Sequence, residues 1–131
     1  MSYDVFMYRF TKGESVPLNK GAMHEVLDPY VTARDPENGF LRITAGADGG
    51  EAEIYTGSEE SITINRLGGD EVMNVISDLL RRLEAVLVLP GGTVILSRDE
   101  DREHLPQQLR DEWSVVVAPT GPEIARAIRV S

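Results

Sequence analysis

The chain has 131 residues and a mass of 14.5 kDa, room for one ordinary domain. Hydrophobic side chains make up 41% and charged ones 27%, a globular and not a disordered composition. The 22 acidic and 13 basic residues leave a net charge of −9, which argues against generic nucleic-acid binding and against docking on anionic membranes, since both need a basic footprint.

Residues 3–10 are rich in aromatic and β-favouring types and predict a first strand. Tyr3, Val5 and Met7 share one face and Phe6, Tyr8 and Phe10 the other, so the strand belongs inside a sheet that is covered, at least in part, on both sides. Lys12-Gly13-Glu14 ends it. A helix is predicted from Leu18 to Tyr30, with Asn19 as its N-cap, Leu18 stapled onto Met23, and Pro29 closing the regular turns. The segment 32–39, with Asp35-Pro36 and Asn38-Gly39, is expected to be a loop.

Three strands follow. Phe40–Ala45 turns Leu41 and Ile43 inward, and Asp48-Gly49-Gly50 makes a tight turn. Residues 51–56 place Ala52 and Ile54 inward and Glu51, Glu53 and Tyr55 outward; residues 61–67 place Ile62 and Ile64 inward and Thr63 and Asn65 outward. Alternation of this kind defines a β-meander with one buried and one polar face. From Asp70 to Glu84, Val72, Val75, Ile76, Leu79, Leu80 and Leu83 form a continuous apolar helical stripe, with Gly68-Gly69 before it and Asp70 as the expected cap. Val86–Leu89 and Thr93–Leu96 flank Pro90-Gly91-Gly92 as a second hairpin. A charged loop (98–104), a short helix (105–112) with Pro106 in its first turn, a β-rich run (114–118) and a last helix complete the chain; Thr120-Gly121-Pro122-Glu123 has capping-box spacing.

The expected fold is therefore α+β: one domain over residues 1–131, with a mostly antiparallel mixed sheet of meander and second hairpin packed against three or four helices. A sub-structure boundary, if present, falls at 68–69, but halves of this size would each have a marginal core. No internal repeat, heptad run or stretch long enough to span a membrane is visible. The N-terminal residues lack the apolar run of a secretory signal, and cysteine is absent, which excludes disulfides, thiolate catalysis and cysteine-ligated metals. A cytoplasmic, full-length chain is the expectation.

Chemistry-bearing patterns are few. His24 and Asp28 lie four apart on a helix, the spacing that lets two ligands face one metal, but the second histidine of a metalloprotease helix is missing. Asp99, Asp101 and Glu103 alternate in an acidic run that lacks the central glycine and far bidentate glutamate of a calcium loop. Each has a simpler reading as a solvated surface. Ser58, Ser61, Ser77, Ser97 and Ser114 sit in no nucleophile elbow. Gly68-Gly69 reads as hinge and cap, and Trp113 as a partly buried packing residue.

The charge distribution is less ordinary. No Lys or Arg occurs between Arg42 and Arg66, an interval that holds Asp48, Glu51, Glu53, Glu59 and Glu60. Residues 1–65 carry 11 acidic and 5 basic groups, a net of −6. An acidic sheet face bearing Tyr55 suits a basic protein surface, and the alternative is a face kept soluble by charge.

The start Ser2-Tyr3-Asp4-Val5, the loop Asp35-Pro36-Glu37-Asn38-Gly39-Phe40, the hairpin Asp48-Gly49-Gly50-Glu51-Ala52-Glu53 and His104-Leu105-Pro106 before Leu109-Arg110 resemble a small uncharacterised actinobacterial α+β family. That resemblance brings no activity and no catalytic residues with it. In size, acidity and mixed architecture the chain is also similar to immunity proteins that neutralise bacterial toxins, without a shared motif. The expectation is a non-catalytic cytoplasmic binding protein, possessing no cofactor, that meets a basic partner through Glu51, Glu53, Tyr55, Glu59 and Glu60. The alternative is a small-molecule- or metal-dependent enzyme centred on His24 and Asp28 or on Asp99, Asp101 and Glu103.

Overall fold

The computed structural model describes residues 4–131. Of the expected first strand and of the Ser2-Tyr3-Asp4-Val5 start, the part before Asp4 lies outside them. The elements run β1 (Val5–Thr11), β2 (Glu14–Val16), α1 (Lys20–Leu27), β3 (Val31–Asp35), β4 (Phe40–Ala45), β5 (Gly50–Tyr55), β6 (Ser61–Gly68), α2 (Asp70–Leu83), β7 (Val86–Leu89), β8 (Thr93–Leu96), α3 (Gln107–Glu112), β9 (Ser114–Val117) and α4 (Gly121–Val130). Short 3₁₀ turns cover Asp28–Tyr30, Pro36–Asn38 and Asp99–His104.

The strands form one 9-stranded sheet in the order β3-β4-β5-β6-β1-β7-β8-β9, with β2 paired to the end of β1. Every pairing is antiparallel except β8 with β9. The fold class is α+β, as the sequence implies, and one core serves the chain on both sides of Gly68-Gly69.

Strand alternation sends two sets of side chains to two faces. On one face, Met7, Ile43, Ile54, Ile64, Leu87 and Ile95 join Met23 and Leu27 of α1, the α2 stripe, and Ile124 and Ala127 of α4. On the other, Val86, Val94 and Leu96 meet Leu105, with Phe10, Trp113, Val115 and Val117 packed against them. The second cluster covers β7–β9 and, among the described residues of β1, takes in Phe10. The expected placement of β1 inside a doubly covered sheet therefore holds at Phe10, the end of the strand that pairs with β2.

Several boundaries differ from expectation. The segment 32–39 is not simply a loop: Val31–Asp35 pairs with β4 as an edge strand, interrupted by a bulge between Val31 and Ala33. Asp35-Pro36 and Asn38-Gly39 make the 3₁₀ turn and the left-handed Gly39 that follow, so turn chemistry begins only where the strand ends. Lys12 and Gly13, both at positive φ, join β1 to an extra strand, β2, as a two-residue hairpin turn. The first helix stops at Leu27 and tightens into a 3₁₀ turn over Asp28–Tyr30, because Pro29 has no N–H to continue the ladder. Residues 99–104 are a 3₁₀ helix that tucks Asp101 in against Arg98.

Asp70 is not the cap of α2. Gly69 occupies the N-cap position, and the Asp70 N–H donates instead to Asp48 Oδ2 at 3.2 Å. Asp48 comes from the β4–β5 turn, where its other oxygen accepts from Gly50 N–H. Asn19 caps α1 and Thr120 caps α4 as their sequences imply.

Candidate partner-binding face

The polar face of the meander is fixed by register. Asp35 stands beside Phe40, Phe40 beside Tyr55, Tyr55 beside Thr63, and Thr63 beside Phe6, so one row crosses from the edge to the middle of the sheet. Phe40 and Tyr55 rings are 5.3 Å apart, and the Arg42 guanidinium lies 5.9 Å from the Phe40 ring centre. Tyr55 is 40% exposed. Packing of this kind makes an aromatic surface that is preformed and not fully desolvated.

The next row sets Arg42 beside Glu53 and Glu53 beside Asn65. Glu53 accepts from Arg42 at 3.1 Å and is bridged by Arg66 Nε at 3.3 Å, leaving its side chain 14% exposed. The interval that lacks cations in sequence is thus closed over by its two bounding arginines in space. Lys20 does the same at the far end: its Nζ donates to the carbonyls of Thr56 and Ser58 at 3.1 and 2.7 Å. Partial burial pushes the Lys20 ammonium below its ordinary pKa, and Glu59 beside it pulls the other way.

The acids therefore divide. Glu53 is held as the counter-ion of Arg42 and Arg66. Glu51 stands exposed next to Thr44 and Gly68. Glu59 and Glu60 are exposed in the β5–β6 connection, where the Glu59 carbonyl holds Leu18 N–H and the Glu60 carboxylate accepts from Ser15 Oγ at 2.7 Å. A hydroxyl partner leaves the Glu60 charge in place. Phe40, Tyr55 and Arg42 thus have Glu51 toward one end of their strands and Glu59 and Glu60 in the connection beyond the other. Alternation identifies the outward residues; the pairing to Arg42, Arg66 and Lys20 depends on register and on the docking of α1, which no local pattern reports.

The other candidates are spread through the molecule. His24 Nδ1 is 3.4 Å from Asp28 Oδ1, and the same oxygen accepts from Arg34 at 3.1 Å. The Arg34 hydrogen bond holds the Asp28 carboxyl below its usual pKa. His24 and Arg34 border a cavity of about 210 Å³ with Phe40, Leu41 and Thr56. Asp99 and Asp101 belong instead to the segment against the opposite sheet face, where Arg102 and Arg98 hold them. Asp28, Asp99 and Asp101 are thus each matched to an arginine, and among the described residues no three His, Asp or Glu side chains converge on a common point. His104 Nδ1 accepts from Lys12 N–H and its carbonyl from Gly13 N–H, fixing the β1–β2 turn. No helix among the described residues is long and apolar enough to cross a membrane.

The class that fold and face define is a small α+β protein with a half-roofed sheet. No protein-family model, curated protein or solved structure matches this chain.

Proposed function

We propose that the protein is a non-catalytic binding module of the cytoplasm, immunity-like in kind, that receives a basic protein surface on the open half of its sheet. The observation that carries this reading is the division of one sheet face: the 99–113 segment packs on β7–β9 and on Phe10 of β1, while among the described residues the Phe6–Thr63–Tyr55–Phe40 row lies outside that cluster. Partner interfaces favour an aromatic and arginine centre with a polar rim, and here Phe40, Tyr55 and Arg42 lie on strands with Glu51 toward one end and Glu59 and Glu60 in the connection beyond the other. The net charge of −9 steers a basic partner toward it. The cysteine-free composition suits a reducing compartment.

The test compares capture of basic proteins from native lysate by the wild type, by Glu51→Lys/Glu59→Lys/Glu60→Lys, and by Tyr55→Ala. Loss of the same basic protein in both variants, with unchanged circular dichroism, is the expected result. Its retention by both would remove this face from the reading. Glu53 is left intact because its reversal would leave Arg42 and Arg66 without a counter-ion.

A further inference from the structure

The sheet has two outer edges, and they are built differently. An exposed edge presents unpaired N–H and C=O groups, which proteins guard with charges, bulges or proline. β3 has all three: Arg34 and Asp35 within it, the bulge after Val31, and Pro36 at its end. β9 has none. Its sequence is Ser114-Val115-Val116-Val117, it pairs with β8 and with no other strand among the described residues, and Val116 is 36% exposed beside the wholly buried Val94, Ile95 and Leu96 of β8.

The hydrogen bonds show which groups face outward. Ser114 N–H donates to Gly92 and Ala118 N–H to Leu96, so residues 114, 116 and 118 turn their backbone groups toward β8. By alternation Val115 and Val117 turn theirs away from it. We propose that β9 is an assembly edge, and that its occupant is β9 of a second copy, running antiparallel about a two-fold axis at Val116.

That register follows from the residues. With the axis at Val116, Val115 faces Val117 of the second copy, and each pair exchanges two N–H···O bonds, four in all by symmetry. Val116 meets its own copy in the close, non-hydrogen-bonded position between them. A two-fold axis sets like against like, which a charged edge such as β3 would oppose and an all-valine centre favours. The ladder also ends naturally: two residues further, Trp113 would face Pro119, which has no N–H, and Trp113 N–H is already given to Leu109. A slip by one residue would set outward groups against inward ones and lose the bonds. Each copy carries −9, so screening should strengthen the pairing as salt rises.

The chain contains no cysteine, so Val116→Cys introduces a single thiol. Across the axis two such residues would lie at a Cα separation of about 4.5 Å, within disulfide reach. Val130→Cys, on the most exposed large apolar residue among the described ones at 78%, is the control. Mild oxidation should cross-link Val116→Cys to a dimer several-fold faster than Val130→Cys. Light scattering of the wild type should approach twice 14.5 kDa with rising concentration, more readily in high salt. Val116→Lys, which places two ammonium groups at the axis, and Val115→Pro, which removes an outward N–H and leaves the backbone bonds of residues 114, 116 and 118 to β8, should both stay at 14.5 kDa with native circular dichroism. A wild type that remains at 14.5 kDa at every concentration, or a dimer that survives both variants, overturns the proposal. So does equal cross-linking at Val116 and Val130, a readout that holds even if the lysine and proline variants fold poorly.

Discussion

Asp48 does two jobs with one carboxylate. It closes the β4–β5 turn through Gly50 N–H and caps α2 through Asp70 N–H. The cap works only because two backbones nearly touch: a Cβ on Gly69 would stand 2.5 Å from Gly50 Cα, and Gly69 has φ +105°. Asp48→Ala should therefore cost about 1–2 kcal/mol, the range of a lost helix cap, read from urea unfolding. Gly69→Ala meets both strain and overlap and should cost more, about 2–4 kcal/mol in the same titration. Asp28 supplies a pH-dependent counterpart. Its carboxyl is held low by Arg34, so its contribution is complete above the ordinary carboxylate pKa and fades as pH falls through the depressed folded value. Asp28→Asn should be less stable than the wild type near neutral pH and converge with it as pH falls below the depressed folded value, giving a shallower acid limb in paired urea titrations.

At the scale of elements, α2 carries the greatest weight. Val72, Ile76, Leu79 and Leu80 are wholly buried, and the helix lies between α1 and α4 over the meander. Leu79→Ala should cost about 2–5 kcal/mol in chemical denaturation, since neighbours from several elements cannot all collapse into the space. The α2 stripe was legible in the sequence because its period repeats over 14 residues. The meander strands were legible because inward Leu41, Ile43, Ala52, Ile54, Ile62 and Ile64 alternate with polar neighbours. β2 and β3 were not, since three and five residues give alternation little room and their strand character comes from pairing with β1 and β4. The site divides in the same way. Alternation marks Glu51, Glu53 and Tyr55 as outward, but only the register brings Arg42 onto Glu53, and only the chain path returns Arg66 and Lys20 to the acidic interval. Local pattern reports which face a side chain takes, and non-local pairing decides which charges remain free there.

The whole molecule rests on one sheet that serves two apolar clusters. Val86 and Val88 point into one and Leu87 and Leu89 into the other, so β7 cannot be lost from either without damage to both. β1 links the halves as well, pairing with β6 of the meander on one side and β7 of the second hairpin on the other. A separable pair of half-domains at Gly68-Gly69 would need each half to keep its own strands together, and β1 belongs to the second sheet half as much as to the first. Unfolding should accordingly be a single transition. Two probes can check this independently. Trp113 is the sole tryptophan and packs on the smaller cluster, whereas far-ultraviolet circular dichroism is dominated by α1, α2 and α4 over the larger one. Their urea midpoints should coincide in the wild type and shift together in Leu79→Ala, although Leu79 lies on the face opposite Trp113. An earlier fluorescence midpoint, with Trp113 unmoved by Leu79→Ala, would mean that the 99–113 roof opens alone and that the sheet transmits less between its faces than the shared strands imply.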